Sequence, residues 1–165
     1  MNYRLRIIVF FSVALLLSCK SKKENEAAPK YKNHILLQAQ GFKVNDAYLV
    51  FNDSTRVADD NKVNVGQHVN LILIIDSGWN AENGKIYAGV GQKVESSDGK
   101  HIFDKADLME SHLEGVPAED GSRVTIQAII NSADKEYDYF LVSFHVWDKK
   151  SDSKISGSYK LHVKL

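Results

Sequence analysis

The sequence predicts an all-β protein whose folded part, residues 32–165, is an antiparallel β-sandwich of seven or eight strands. Three observations carry this prediction. Apolar side chains alternate with polar ones over several segments, turn-forming dipeptides separate these segments, and the chain of 165 residues is long enough for one ordinary domain with a short extension. We therefore divide the chain into residues 1–18, 19–31 and 32–165.

Three segments show the period of two that is typical of strands. They cover residues 68–75, 140–146 and 159–165, and in each of them every second side chain is apolar. Shorter strand candidates lie at 34–40, 47–51, 85–94, 101–103 and 123–131. Turn chemistry separates the candidates at Asn52-Asp53, Asn83-Gly84, Asp98-Gly99, Asp120-Gly121 and Ser156-Gly157.

One segment has the spacing of a helix. Leu108, Met109, His112 and Leu113 recur at intervals of three and four residues, and Gly115 suits a helix end. The pattern predicts a short helix at residues 105–114, inserted between strands. We expect it to protect a sheet edge or to cover one face of the sandwich.

The N-terminus has the features of an export signal. Arg4 and Arg6 precede a largely apolar run from Ile7 to Leu17, which is far shorter than the roughly 20 residues that span a bilayer. The single cysteine of the chain, Cys19, follows this run directly. One cysteine can form neither an intramolecular disulfide nor a Cys-based zinc site.

Leu16-Leu17-Ser18-Cys19 resembles the lipobox of bacterial lipoproteins. This resemblance implies that residues 1–18 are removed and that Cys19 carries acyl chains that anchor the protein in a membrane. Lys20 rather than Asp follows the cysteine, which favours the outer membrane with the domain facing the periplasm. The basic run Lys20-Ser21-Lys22-Lys23 makes display on the cell surface less favoured.

The charged residues after Cys19 show no hydrophobic periodicity, so we expect residues 19–31 to form a flexible tether. The whole chain balances 21 Lys and Arg against 21 Asp and Glu. This balance argues against a nucleic-acid partner, because binding to phosphates needs a basic stripe.

Motifs of the common enzyme classes are absent from the sequence, and we expect a non-catalytic protein without a cofactor. The six histidines are scattered, with no pair at metal-binding spacing. Asp59-Asp60-Asn61 lacks the alternate spacing of an EF-hand and is interpreted as a solvated loop.

The outward side of the 137–148 segment is the strongest candidate for binding. Its alternate positions include Tyr139, His145 and Trp147, and aromatic side chains with polar tips are enriched at interfaces and stack on sugars. Trp79, in a predicted loop, is a second candidate contact. A helix or loop packed over this side would remove the site, and Trp79 could equally fold back onto the sandwich.

A lipobox, a charged tether and a small sandwich with an inserted helix together resemble accessory lipoproteins of envelope machines. The architectural analogue is the lipoprotein subunit of type VI secretion membrane complexes, which implies an immunoglobulin-like or transthyretin-like sandwich that docks an envelope protein. Our first functional hypothesis is therefore a membrane-anchored protein-interaction module. The alternative is a lipoprotein that binds a glycan or another small ligand through the aromatic side.

Overall fold

The computed structural model describes residues 31–164, and the signal segment, Cys19 and nearly all of the tether lie outside this range. Within it the chain forms two short 3₁₀ turns, Lys32–His34 and Ala118–Ser122. The eleven strands are β1 Leu36–Gln40, β2 Lys43–Phe51, β3 Lys62–Asn64, β4 His68–Ser77, β5 Lys85–Ile86, β6 Ala88–Ser96, β7 His101–Lys105, β8 Val116–Pro117, β9 Arg123–Ile129, β10 Phe140–Asp148 and β11 Lys154–Lys164.

The strands form two main sheets that pack face to face. The larger sheet has the order β1-β11-β10-β6-β7, with β3 added in parallel to the end of β11, and the smaller sheet has the order β2-β4-β9. A two-stranded ribbon of β5 and β8 lies beside them. All pairs other than β3 with β11 are antiparallel, so the predicted antiparallel β-sandwich is confirmed.

The alternation seen in the sequence builds the core. On β10 the even-numbered residues are buried and the odd-numbered ones are half-buried, as expected for a strand with one side against the other sheet. The core includes Phe140, Val142, Phe144 and Val146 from β10 and Val69, Leu71, Leu73 and Ile75 from β4.

Eight of the eleven strands have five residues or more, and each of them overlaps one of the predicted segments. The turn predicted at Ser156-Gly157 is wrong, because β11 runs through these residues and pairs them with both β1 and β10. The predicted segment 85–94 is divided into β5 and β6. β3 and β8 have only two or three residues, which is too few alternations to give a signal in the sequence.

The helix predicted at residues 105–114 is wrong: β7 extends to Lys105 and a series of turns follows. The Leu108 amide donates to the Val90 carbonyl of β6 (2.6 Å). The bonds within the segment run from His112 to Met109 (3.0 Å) and from Gly115 to His112 (3.2 Å), which are separate turns of three residues and not the four-residue spacing of an α-helix. Asp107 Oδ1 accepts from the amides of Val90 (3.2 Å) and Met109 (2.8 Å). Leu113 is 81% and Leu108 is 38% exposed, while Met109 packs against the core, and one partly buried side chain does not stabilise so short a helix.

A buried polar cluster also departs from the sequence interpretation. Asp59 and Asp60 are exposed as expected for a solvated loop, whereas Asn61 is 3% exposed and lies against Asn33, which is 2% exposed. Asn33 Nδ2 donates to Asn61 Oδ1 (2.9 Å), and Asn61 Nδ2 donates to the carbonyls of Asn33 (2.8 Å) and Lys160 (2.9 Å). The two amides tie the first turn of the domain to β11.

Within residues 31–164 the structure contains no helix that is long and apolar enough to cross a membrane.

Candidate binding groove on the outer side of the larger sheet

The outer side of the larger sheet is lined at its centre by small residues. Antiparallel partners share a side of their sheet, so the register identifies which residues surround His145 and Trp147. His145 lies between Ser156 of β11 and Gly91 of β6, and the neighbouring Ser143 lies between Ser158 and Lys93. Serine and glycine at these positions leave a depression in the surface of the sheet.

Trp147 lies flat over a glycine at the end of this depression. Its partner on β6 is Gly89, where a Cβ atom would overlap the indole ring. The His145 ring stands beside it, with 5.2 Å between the two ring centroids and 33° between the planes. Gly89 therefore allows the indole to pack against the backbone, and the two rings form one platform.

This platform is part of a groove with a volume of about 520 Å³. Gln40 from β1, Ala106 after β7 and the turn between β10 and β11 complete its lining. A second depression of about 400 Å³ shares His145 and Ala106 and continues over Ser143 and Ser156. The two depressions make one continuous groove along β10.

The segment that follows β7 forms a wall of the groove instead of a cover. A Cβ atom at Gly91 would lie 2.8 Å from the Ala106 carbonyl. Because glycine has no side chain, the segment after β7 can pack this close to β6. Trp147, His145 and Ser143 remain half-buried. The aromatic side is thus open at the groove, which is the condition that the ligand-binding hypothesis requires.

The charges that line the two depressions are balanced. The lining contains three lysines and three aspartates, namely Lys93, Lys105, Lys154, Asp104, Asp148 and Asp152. Lys154 and Asp152 form no ion pair with another of the residues 31–164. Burial lowers the pKa of His145, and the nearby Lys154 ammonium lowers it further. The imidazole is consequently neutral at pH 7 and can both donate and accept a hydrogen bond.

Asp148 holds the turn that forms one end of the groove. Its side chain is buried, and it accepts hydrogen bonds from the Asn80 amide (2.6 Å), the Lys150 amide (2.9 Å) and Ser151 Oγ (3.0 Å). These bonds connect the loop after β4 to the turn between β10 and β11. Every second residue of β10 from Phe140 onward is buried, and Asp148 is the last of them. This alternation is the feature of the sequence from which a buried carboxylate could have been predicted.

The other two aromatic candidates do not line the groove. Tyr139 comes six residues before His145, about 20 Å away along an extended chain, and the Lys160 ammonium lies 4.0 Å from its ring centroid. Trp79 packs edge-on against Phe42, and its Nε1 donates to the Gly121 carbonyl (2.9 Å). Trp79 thus belongs to the end of the core, while His145 and Trp147 are the predicted residues that the fold brings together.

Among residues 31–164, no group of three or more His, Cys, Asp or Glu side chains is arranged to hold a metal ion.

No protein-family model matches the chain, and no curated protein sequence is significantly similar to it. A solved structure, the C-terminal domain of Wzt, aligns with 83% of this chain and 82% of its own at 15% identity and a TM-score of 0.47.

Proposed function

We propose that this protein is a lipoprotein, anchored through Cys19 to the outer membrane with its domain in the periplasm, that binds a saccharide in the groove on the larger sheet. The observation that carries the proposal is the half-buried pair of adjacent rings, His145 and Trp147, in an open groove with a polar rim. The protein acts by binding and performs no chemical step.

The chemistry of the groove suits a sugar. The apolar face of a pyranose packs on an indole, while its hydroxyl groups need donors and acceptors at the edge of the ring. Gln40, Ser151 and the neutral His145 supply both kinds of group. Since the three lysines and three aspartates of the lining offset each other, no strongly charged ligand is favoured.

Replacing Trp147 by Ala should lower saccharide affinity at least about tenfold, which corresponds to about 1.4 kcal/mol, because the stacking surface is lost. The purified full-length protein in detergent is applied to an array of gluco-, manno-, galacto- and N-acetylglucosamine oligosaccharides of increasing length, and bound series are measured by calorimetry. Gly89→Ala keeps the indole but displaces it from the backbone, so it should weaken binding too.

Tyr139→Ala provides the matched control, because it removes an aromatic ring just before the same strand and outside the groove. Its affinity should equal that of the wild type. Absence of binding to every series, or equal losses in Tyr139→Ala and Trp147→Ala, would contradict the saccharide proposal. Urea unfolding of each variant separates lost binding from lost structure.

Membrane anchoring is tested by Cys19→Ala in cells. We expect the variant to leave the membrane fraction, because acylation of this cysteine supplies the anchor and each buried methylene contributes about 0.8 kcal/mol. Immunoblotting of separated membrane and soluble fractions measures the change, with Ser21→Ala as the control. Unchanged recovery of Cys19→Ala in membranes would refute lipid anchoring.

A docking role at an envelope or secretion complex is the second candidate function. The observation that favours it is the exposed apolar surface of β7, which is separate from the groove.

A further inference from the structure

The sandwich is open along the side where β7 and β9 end their sheets. β7 pairs only with β6, and β9 pairs only with β4, among the residues that the structure describes. Each strand therefore has one edge whose amide and carbonyl groups have no strand partner. A cleft of about 370 Å³ lies between the two strands. Its lining consists of Gln92, Val94, Ile102, Phe103, Gln127, Ala128, Ile129, Asn131 and Ser132.

Two large apolar side chains of β7 lie at this cleft. Ile102 is 37% and Phe103 is 41% exposed. The register shifts between Val94 and Glu95, so Ile102 has no cross-strand partner on β6. Adjacent strand residues normally point to opposite sides, yet both of these line the cleft. The irregularity of β7 thus concentrates apolar surface at a free edge.

A buried polar group at the same place lacks a partner. Gln92 points inward between Val90 and Val94 and is 5% exposed, and its Nε2 makes no hydrogen bond within the described residues. An unsatisfied buried donor costs roughly 1–3 kcal/mol. A carbonyl acceptor brought into the cleft would remove this cost.

The cleft offers no charge to a ligand. Every lining residue is uncharged. In the two adjacent loops Lys100 pairs with Asp134 and Lys135 with Asp98, both at 2.8 Å, while Glu136 and Asp138 lie outside the lining. At the opposite edge strand, β1, the exposed Leu36 lies in a pocket that also contains the charged Asp60 and Lys160. The uncharged lining beside β7 therefore favours an uncharged occupant, since a buried charge would find no partner there.

We propose that an extended, uncharged segment of a partner protein adds to the free edge of β7, with alternate side chains in the cleft, most of them apolar and one of them an amide whose carbonyl accepts from Gln92. Strand addition gives affinity through main-chain hydrogen bonds and specificity through alternate side-chain sites. This docking surface shares only Gln92 with the lining of the saccharide groove.

The test uses a displayed library of short linear peptides, selected on the full-length protein in detergent. The enriched peptides should lack charge and alternate apolar with polar residues. Their synthetic forms should bind Phe103→Lys at least about tenfold more weakly than the wild type. Methylating the main-chain nitrogens that face β7 should abolish binding, because it removes the donors of the strand pairing.

Leu36→Lys is the matched control, since it places the same charge on an exposed apolar residue of the other edge strand. It should bind the peptides as the wild type does. If Phe103→Lys does not fold, Ile102→Lys replaces it, because that side chain has no cross-strand partner.

Four outcomes would overturn the proposal. They are a selection that enriches nothing, enrichment of charged sequences, binding that survives methylation, and equal losses in Leu36→Lys and Phe103→Lys. A fifth outcome is measured by sedimentation. If the wild type is a dimer and Phe103→Lys is a monomer, the occupant of the β7 edge is a second copy of this chain, which also refutes a separate partner.

Discussion

Replacing Asn33 by Ala should lower the free energy of unfolding by about 4 kcal/mol, because one side chain satisfies several buried groups. Its Nδ2 donates to the carbonyls of Val57 (3.0 Å) and Ala58 (3.1 Å) and to Asn61 Oδ1 (2.9 Å). Its Oδ1 accepts from the Leu49 amide (3.0 Å). Alanine removes the hydrogen-bond partner of the Val57 carbonyl, of Asn61 Oδ1 and of the Leu49 amide in a buried site, whereas the Ala58 carbonyl still accepts from the Asn61 amide.

The control for this variant is Asn83→Ala. Both asparagines have a positive φ, 58° for Asn33 and 52° for Asn83, so both substitutions force alanine into the left-handed region. Asn83 is exposed, and its side chain makes no hydrogen bond within the described residues. This control should lose only about 1 kcal/mol. Urea unfolding measures both, and equal losses would show that the cluster contributes no stability.

The cluster also shows what the sequence could not predict. Asn61 follows two exposed aspartates, and a polar triplet in a loop is normally solvated. Its burial depends on Asn33 and on the Lys160 carbonyl, which come close only after the sandwich has formed. No local pattern carries that information.

Periodicity did predict the strands, because a side chain's position in an extended segment determines which side of the sheet it faces. The same principle placed His145 and Trp147 on the outer side of β10, and the structure brings their rings together. It could not show that Tyr139 lies beyond the groove, because the extent of the groove along β10 depends on the side chains that the neighbouring strands contribute.

The predicted helix at 105–114 failed for a related reason. Spacing reports which residues would share a helix face, but a helix of this length needs that face to be buried. Asp107 instead accepts from the Val90 amide and pairs with Lys149 at 2.7 Å, which holds the segment beside β6. These long-range contacts outweigh the local pattern and leave the groove uncovered.

Replacing Asp148 by Ala should lower the free energy of unfolding by about 3 kcal/mol and weaken saccharide binding at the same time. A carboxylate that accepts from the Asn80 amide, the Lys150 amide and Ser151 Oγ contributes strongly, since hydrogen bonds to a charged group are worth about 1.5–3 kcal/mol each. Because Asn80 and Lys150 are exposed, water can bond to their amides in the variant, so the loss of stability is smaller than the sum of the three bonds.

Asp152→Ala is the matched control for Asp148→Ala. It removes a carboxylate from the same turn, but Asp152 is exposed and has no partner among the described residues, so the free energy of unfolding should change by less than about 0.5 kcal/mol. Urea unfolding and calorimetry with a bound oligosaccharide series are carried out on both variants.

Asp148→Ala with wild-type stability would contradict the bonds assigned to it. A destabilised Asp148→Ala with wild-type affinity would show that binding does not depend on the turn between β10 and β11. Because Asp148 follows Trp147 directly on β10, we expect both properties to fall together: the bonds that close the turn also fix the end of the groove where the indole lies.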